Sequence, residues 1–382
     1  MTETKNKNIL VIAGEVSGDL IGASLIKELK KTDPALMFYG IGGDKMLSEG
    51  MEVSYHINQM AFLGFVEVIK HLPFIKKAQR KLVELVKSKN IKNVVLIDYP
   101  GFNLSIAKKL KALGVKIIYY VSPQLWAWGL GRMKKVIKLV DKMLVVFPFE
   151  EKMYKDNNVN VQFVGHPLVE RINNHEFLLY EDLCAKFKLV KEKGILLIMP
   201  GSRENEVNKI FPQTIKAASR IASEFDMQIV VSCSSNLSEK LFSSYADEID
   251  FKLIKGFTYD LMKHAKFGII KSGTSTLEAG YFALPMLIVY KTNYLTYLVV
   301  KKLIKVDSIG MVNILLEEKI IPELIQNRLT ENLVYEESKK ILSNSSVYEK
   351  IKTKLSEVKN KLAGETASIS AAKSIYKIIN ES

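Results

Sequence analysis

At 382 residues, 48% apolar and 25% charged, the chain is long enough for about two to three domains of roughly 150 residues, and its composition excludes wholesale disorder. Cys184 and Cys233 alone exclude a disulfide framework or a four-cysteine zinc site; no apolar run approaches the roughly 18 residues of a membrane span, and Ile9 to Gly14 is too short for a secretory signal. The net charge of +14, of which +10 falls in residues 1–165, directs attention to a polyanion, an anionic membrane or a phosphorylated substrate, with a merely solvated lysine-rich surface as the alternative.

In chain order, Ile9 to Ala13 reads as a strand and Leu20 to Lys31 has helical spacing. Met37 to Ile41 is a second strand. Met60 to Leu72 and Pro73 to Lys89 read as two helices split by Pro73. The strands Val94 to Ile97, Ile117 to Val121, Met143 to Phe147 and Val161 to Val164 follow, with lysine-rich helical stretches between them. The pattern restarts after Gly165-His166-Pro167. Gly194 to Met199 is a strand, Glu206 to Glu224 a helix, and Gln228 to Ser232, Phe267 to Ile270 and Met286 to Tyr290 are further strands; Val347 to Ile379 is helical. Continuous apolar strands alternating with helices give an α/β fold with parallel sheets covered on both faces. The expected architecture is two Rossmann-like, doubly wound domains facing a cleft, 1–165 and 166–345. C-terminal helices, 346–382, pack back on the first domain or on a partner subunit of a homodimer.

Ligands of such sheets bind beyond the carboxyl ends of the strands. After the first strand, Glu15 and Asp19 put two carboxylates where a pyrophosphate would lie, which argues against a dinucleotide site. Asp19 is read as a cap of the helix that begins there, and Glu15 as a partner for a sugar hydroxyl. Asp98 follows four aliphatic residues, a position suited to a general base whose pKa burial raises, or to a loop residue capping the next helix. Trp126 and Trp128, the two tryptophans of the chain, suit a binding wall or plain packing. In the second half Arg203 is placed to neutralise a diphosphate. The turn Ser272-Gly273-Thr274 offers backbone N–H groups to phosphate, and Glu278 lies one helical turn further on, where it can accept bonds from ribose hydroxyls. No GxxxxGK[ST] loop exists, and no residues have metal-ligand spacing, so neither metal nor cofactor is expected. Phe62, Phe65, Val66, Ile69 and Leu72 share one stripe, and residues 66–92 carry eight basic against two acidic residues. That combination suits a membrane surface, or an ordinary amphipathic helix on a sheet.

Together the segments AGEVSGD from Ala13, GIGGDKM from Gly40, LGFVEV from Leu63, IDYPGFN from Ile97, YYVSPQLWAW from Tyr119, PFE from Pro148, VGHP from Val164, MPGSRENEV from Met199, SGTSTLE from Ser272 and VNIL from Val312 resemble the lipid-A-disaccharide synthases. The resemblance implies a GT-B glycosyltransferase whose second domain holds the nucleotide. It implies inverting transfer of 2,3-diacylglucosamine from UDP to 2,3-diacylglucosamine 1-phosphate at the cytoplasmic face of the inner membrane. Its partners would be the UDP-sugar, the acylated acceptor and an anionic membrane surface. Asp98 or Glu15 would be the base. Ser17, Asn103, Trp126, Arg203, Ser272, Gly273, Thr274, Glu278 and Asn313 would contact substrate. Another UDP-sugar transferase or a sugar-nucleotide epimerase is the rival reading; a nucleic-acid-binding protein is disfavoured because the aromatics gather at strand ends rather than beside basic residues on one face.

Overall fold

The computed structural model describes residues 7–60, 71–128, 130–294, 297 and 307–381. The chain forms two compact units, residues 1–171 with 362–382, and residues 172–361.

In unit one the described residues form a seven-stranded parallel sheet in the order β3-β2-β1-β4-β5-β6-β7. The strands are β1 (Asn8–Ala13), β2 (Met37–Gly42), β3 (Glu52–His56), β4 (Asn93–Ile97), β5 (Lys116–Tyr120), β6 (Lys142–Val145) and β7 (Val161–Phe163). The central strands are buried along nearly their whole length, so their side chains are apolar without alternation. Helices Leu72–Ser88 and Pro100–Lys111 turn Ala78, Leu82, Val86, Ile106, Ala107 and Leu110 into the core shared with Leu10, Ile12, Val94, Leu96, Ile117 and Tyr119. Chain order reverses between β1 and β4, where Ala13 stands opposite Ile97. That reversal is the switch point at which doubly wound sheets open a crevice.

Unit two repeats the plan with six strands, β10-β9-β8-β11-β12-β13. These are β8 (Gly194–Met199), β9 (Met227–Cys233), β10 (Lys252–Lys255), β11 (Ala265–Lys271), β12 (Met286–Tyr290) and β13 (Glu323–Ile325). Here the reversal falls between β8 and β11, with Met199 opposite Ile270. Phe211 of helix Glu204–Glu224 meets Phe242 of helix Lys240–Ala246 edge to face at 4.9 Å and ties the two helices together.

The C-terminal stretch is two helices. Ser345–Leu362 packs Val358 beside Gly280 in unit two. Ala367–Asn380 returns to unit one and lies on helix Val16–Thr32, burying Ala371, Ala372, Ile375 and Ile379. Glu170 holds the start of this last helix, accepting from Ser368 N at 3.1 Å and Ser368 Oγ at 2.7 Å. The chain passes so close that a Cβ on Gly165 (φ 86°) would meet the Glu365 carbonyl oxygen at 2.7 Å.

Of the expected elements, the strands reappear with ends shifted by up to two residues, and the first helix begins at Val16 rather than Leu20. Strands β3, β10 and β13, which the sequence did not announce, are all edge strands. The second helix of the Pro73 pair is present as Leu72–Ser88; the first, with Phe62, Phe65, Val66 and Ile69, lies outside the described residues.

Candidate active site

The carboxyl ends of β1, β4, β5 and β6 carry the polar residues of unit one. After Ile97 the backbone enters the left-handed region at two successive non-glycine residues, Asp98 (φ 45°) and Tyr99 (φ 47°). Each such residue costs about 1–2 kcal/mol and persists only where its surroundings dictate it. They do so here. The Asp98 N–H donates to Tyr120 O at 3.0 Å, and the Asp98 carbonyl accepts from Tyr119 Oη at 2.6 Å and Asn103 Nδ2 at 2.7 Å. Tyr99 Oη donates to Met60 O at 2.9 Å, and the Tyr99 ring lies flat on Gly14, where a Cβ would come within 2.3 Å of it. Gly14 is therefore needed for the close approach of that ring.

This turn places Asp98 at the switch point, beside the end of β1. Burial, and then the charge of Glu15 from the end of β1, push its pKa up from 3.8 to about 6, against a backbone N–H bond from Tyr99. Asp98 is thus a stronger base than an ordinary carboxylate while still mostly ionised near neutrality. Glu15 and Ser17 are exposed at the start of helix Val16–Thr32.

Three expectations change in this unit. Asp19 does cap a helix, but the neighbouring one: it accepts from Gly43 N (2.7 Å), Lys45 N (3.1 Å) and Met46 N (3.1 Å) at the start of helix Asp44–Ser48. Asn103 is fully buried and donates its Nδ2 to the carbonyls of Ile97 and Asp98, so it holds the turn. Trp126 is anchored, because its indole N–H donates to Glu150 Oε1 at 3.1 Å. Glu150 was missed among the candidate residues. It is 1% exposed and also accepts from Ser122 Oγ at 2.6 Å and Phe147 N at 3.3 Å. Burial raises its pKa to about 7, although these hydrogen bonds pull the other way. One carboxylate thereby fastens the loop after β5 to the loop after β6. Val121, a β-branched residue at φ 62°, begins the first of these loops.

In unit two a cavity of about 290 Å³ opens at the switch point, lined among others by Gly201, Ser202, Lys271, Gly273, Thr274 and Glu278. Gly201 (φ 131°) turns the chain after β8 so that Glu206 can accept from Ser202 N at 3.2 Å. Glu206 also pairs with Lys271 Nζ at 2.9 Å. Gly273 (φ 154°) precedes helix Thr274–Tyr281, whose first N–H groups and positive dipole end suit an anion. Glu278 accepts from Tyr259 Oη at 3.3 Å. Lys271 is a cation the sequence reading overlooked, though a basic residue closing a buried strand just before a small-residue turn could have flagged it.

The other candidates divide. Arg203 stands next to Ser202 with its guanidinium exposed and 3.6 Å from Glu206. Ser272 is buried and donates to Ile309 O at 2.7 Å, so its hydroxyl fastens a loop. Asn313 is buried with all its polar atoms engaged: Nδ2 donates to Ile321 O and Glu323 Oε1 at 2.9 Å each, and Oδ1 accepts from Ile321 N at 3.0 Å. It anchors the edge strand β13. Leu72 is exposed at the start of its helix, and no helix among the described residues is long and apolar enough to cross a membrane.

Comparison with known proteins agrees with this layout. A family model described as Lipid-A-disaccharide synthetase matches residues 9–379. A lipid-A-disaccharide synthase of Geobacter sulfurreducens is 38% identical over 365 residues, covering 95% of this chain and 94% of that one. Among solved structures, UDP-GlcNAc 2-epimerase from Neisseria meningitidis bound to UDP-GlcNAc superposes with a TM-score of 0.65 at 13% identity, over 98% of this chain and 100% of that one. CalG4, the calicheamicin glycosyltransferase, gives 0.64 at 12% identity over 99% of each chain. Those two likenesses speak for the GT-B fold alone. With the family model spanning both units, the chain belongs to the lipid-A-disaccharide synthase family of glycosyltransferases.

Proposed function

We propose that this chain transfers 2,3-diacylglucosamine from its UDP conjugate to O6 of 2,3-diacylglucosamine 1-phosphate. The products are a β-1,6-linked disaccharide 1-phosphate and UDP. The observation that carries the reading is Asp98, held at the switch point of unit one with its pKa raised to about 6. It takes the proton of the acceptor 6-hydroxyl as O6 bonds to the donor C1. The bond from C1 to the UDP oxygen breaks on the opposite face, which inverts the anomeric centre, and UDP leaves with the electron pair. Lys271 and the N–H groups that open helix Thr274–Tyr281 neutralise the leaving diphosphate, and Glu278 accepts from ribose hydroxyls. Glu15 keeps the base basic and bonds a sugar hydroxyl, with Ser17 beside it.

The test is incubation of the purified chain with both acylated sugars and mass analysis of the products. Disaccharide phosphate with one UDP per turnover is the expected result, and Asp98→Asn should lower kcat about 10²–10⁴-fold. An epimerised UDP-sugar without disaccharide would overturn the reading in favour of an epimerase.

The acylated substrates imply work at a lipid surface. Helix Leu72–Ser88 supports this: it buries Ala78, Leu82 and Val86 and exposes Lys76, Lys77, Arg80 and Lys81. Each such cation near an anionic leaflet is worth about 1 kcal/mol. The protein should co-float with anionic vesicles and be released by salt. Indifference to anionic lipid would remove this part of the reading.

A further inference from the structure

Unit one has a cavity of its own, of about 640 Å³, between helices Pro100–Lys111 and Met133–Leu139. Five cations line it: Lys108 from the first helix, and Arg132, Lys134, Lys135 and Lys138 from the second helix and the residue before it. Among the described residues no carboxylate lines it. The four lysines are exposed, and none is paired with a carboxylate among the described residues, whereas Lys111, one turn along the same helix, is paired with Asp141. Five like charges around one hollow repel one another, and an anion placed among them relieves that repulsion.

The cavity also adjoins the base. Its wall includes Pro100 and Gly101, which directly follow the Asp98-Tyr99 turn. Arg132 acts electrostatically on the Tyr119 hydroxyl, and that hydroxyl donates to the Asp98 carbonyl. On a hexopyranose acceptor the anomeric C1 and C5, which bears C6 and O6, flank the ring oxygen, so O1 and O6 are separated by the width of one ring. A base at O6 therefore requires whatever holds the O1 substituent to lie one sugar away.

We propose that this basic hollow is the subsite for the anomeric phosphate monoester of the acceptor sugar. The inference rests on the reading of Asp98 as the base for a sugar hydroxyl. It adds a selection rule: a dianion is drawn into place by point charges from two helices, and an uncharged sugar of the same shape is left unfixed.

The experiment compares acceptors carrying a 1-phosphate or a free 1-hydroxyl, in neutral detergent micelles, for wild type and the double variant Lys108→Gln/Lys135→Gln. Both positions are exposed, so the fold persists, and Lys138→Gln serves as a second variant. The wild type should prefer the phosphate by at least about tenfold in kcat/KM, and the preference should collapse toward unity in the double variant. The donor KM is read in parallel and stays put. A preserved preference overturns the subsite, as does an equal loss with both acceptors. An unmoved preference in micelles, combined with weaker binding to phosphatidylglycerol vesicles, also overturns it and assigns the charges to lipid headgroups. A wild type that makes no disaccharide at all sinks the reaction reading itself; an active wild type whose preference is unmoved sinks the subsite alone.

Discussion

Replacing Asp98 by asparagine should remove the activity and stabilise the fold, and the two effects have one cause. A carboxyl moved from 3.8 to about 6 by burial and by Glu15 is ionised at a cost in the folded chain. Above about pH 7 that cost is fully present and amounts to about 3 kcal/mol, at roughly 1.4 kcal/mol for each tenfold change in proton affinity. Below about pH 4 the carboxyl is protonated both folded and unfolded, and the cost vanishes. The native state binds the extra proton, so the wild type loses stability as pH rises through 6. Asparagine is nearly the same shape, tolerates the left-handed backbone at φ 45° and carries no charge. Both tryptophans of the chain, Trp126 and Trp128, lie in unit one, so denaturant unfolding followed by tryptophan fluorescence reports the unit that contains Asp98. Asp98→Asn should be the more stable protein by up to about 3 kcal/mol near pH 8, with the advantage shrinking to nothing near pH 4. A destabilised variant at pH 8, or a stability difference that ignores pH, would refute the reasoning.

Glu15→Gln should retain turnover and move the acid limb of the pH–kcat/KM profile down by at most about one pH unit, because burial is the larger cause of the raised Asp98 pKa; abolished turnover with an intact fold would make Glu15 the base. Gly14→Ala drives a methyl into the Tyr99 ring and should cost about 1–3 kcal/mol, together with most of the activity, measured by the same unfolding assay and by initial rates. Glu150→Ala strands the Ser122 hydroxyl and the Trp126 indole N–H, each at about 1–3 kcal/mol, and should shift the tryptophan emission, whereas Glu150→Gln should keep much of both. Lys271→Ala should weaken UDP binding in calorimetry by about 1.5–3 kcal/mol; unchanged affinity in a folded variant would take Lys271 out of the nucleotide site.

The strands that could be read from the sequence are mostly those buried on both faces, such as β1, β4, β8 and β11, whose centres are unbroken apolar runs. The missed ones, Glu52–His56, Lys252–Lys255 and Glu323–Ile325, form sheet edges, and a short half-covered strand leaves no run to recognise. Asp98 was legible because its position follows from the strand before it. Asn103, Ser272 and Asn313 were legible as polar residues near the right turns, but their direction was not. Each faces inward: Asn103 bonds the carbonyls of its own turn, and Ser272 meets Ile309, which only the fold brings near, across 37 positions of sequence. Glu150 was invisible as a site residue for the same reason: its partners Ser122 and Trp126 lie 28 and 24 residues away, on the loop of the neighbouring strand.

The return of the last helix to helix Val16–Thr32 sets the order in which the protein can be finished. Unit two is continuous from residue 172 to 361, while unit one is closed by residues 362–382. A chain made from its N-terminus therefore holds every residue of its second unit before it holds every residue of its first. Until helix Ala367–Asn380 is synthesised, the surface of Val16–Thr32 that receives it stays uncovered, and Glu170 has no Ser368 to hold. The half that carries the proposed base, Asp98, is thus the half that waits. A stop only some twenty residues early would spare every residue assigned here to the nucleotide cavity and damage the fold around the base.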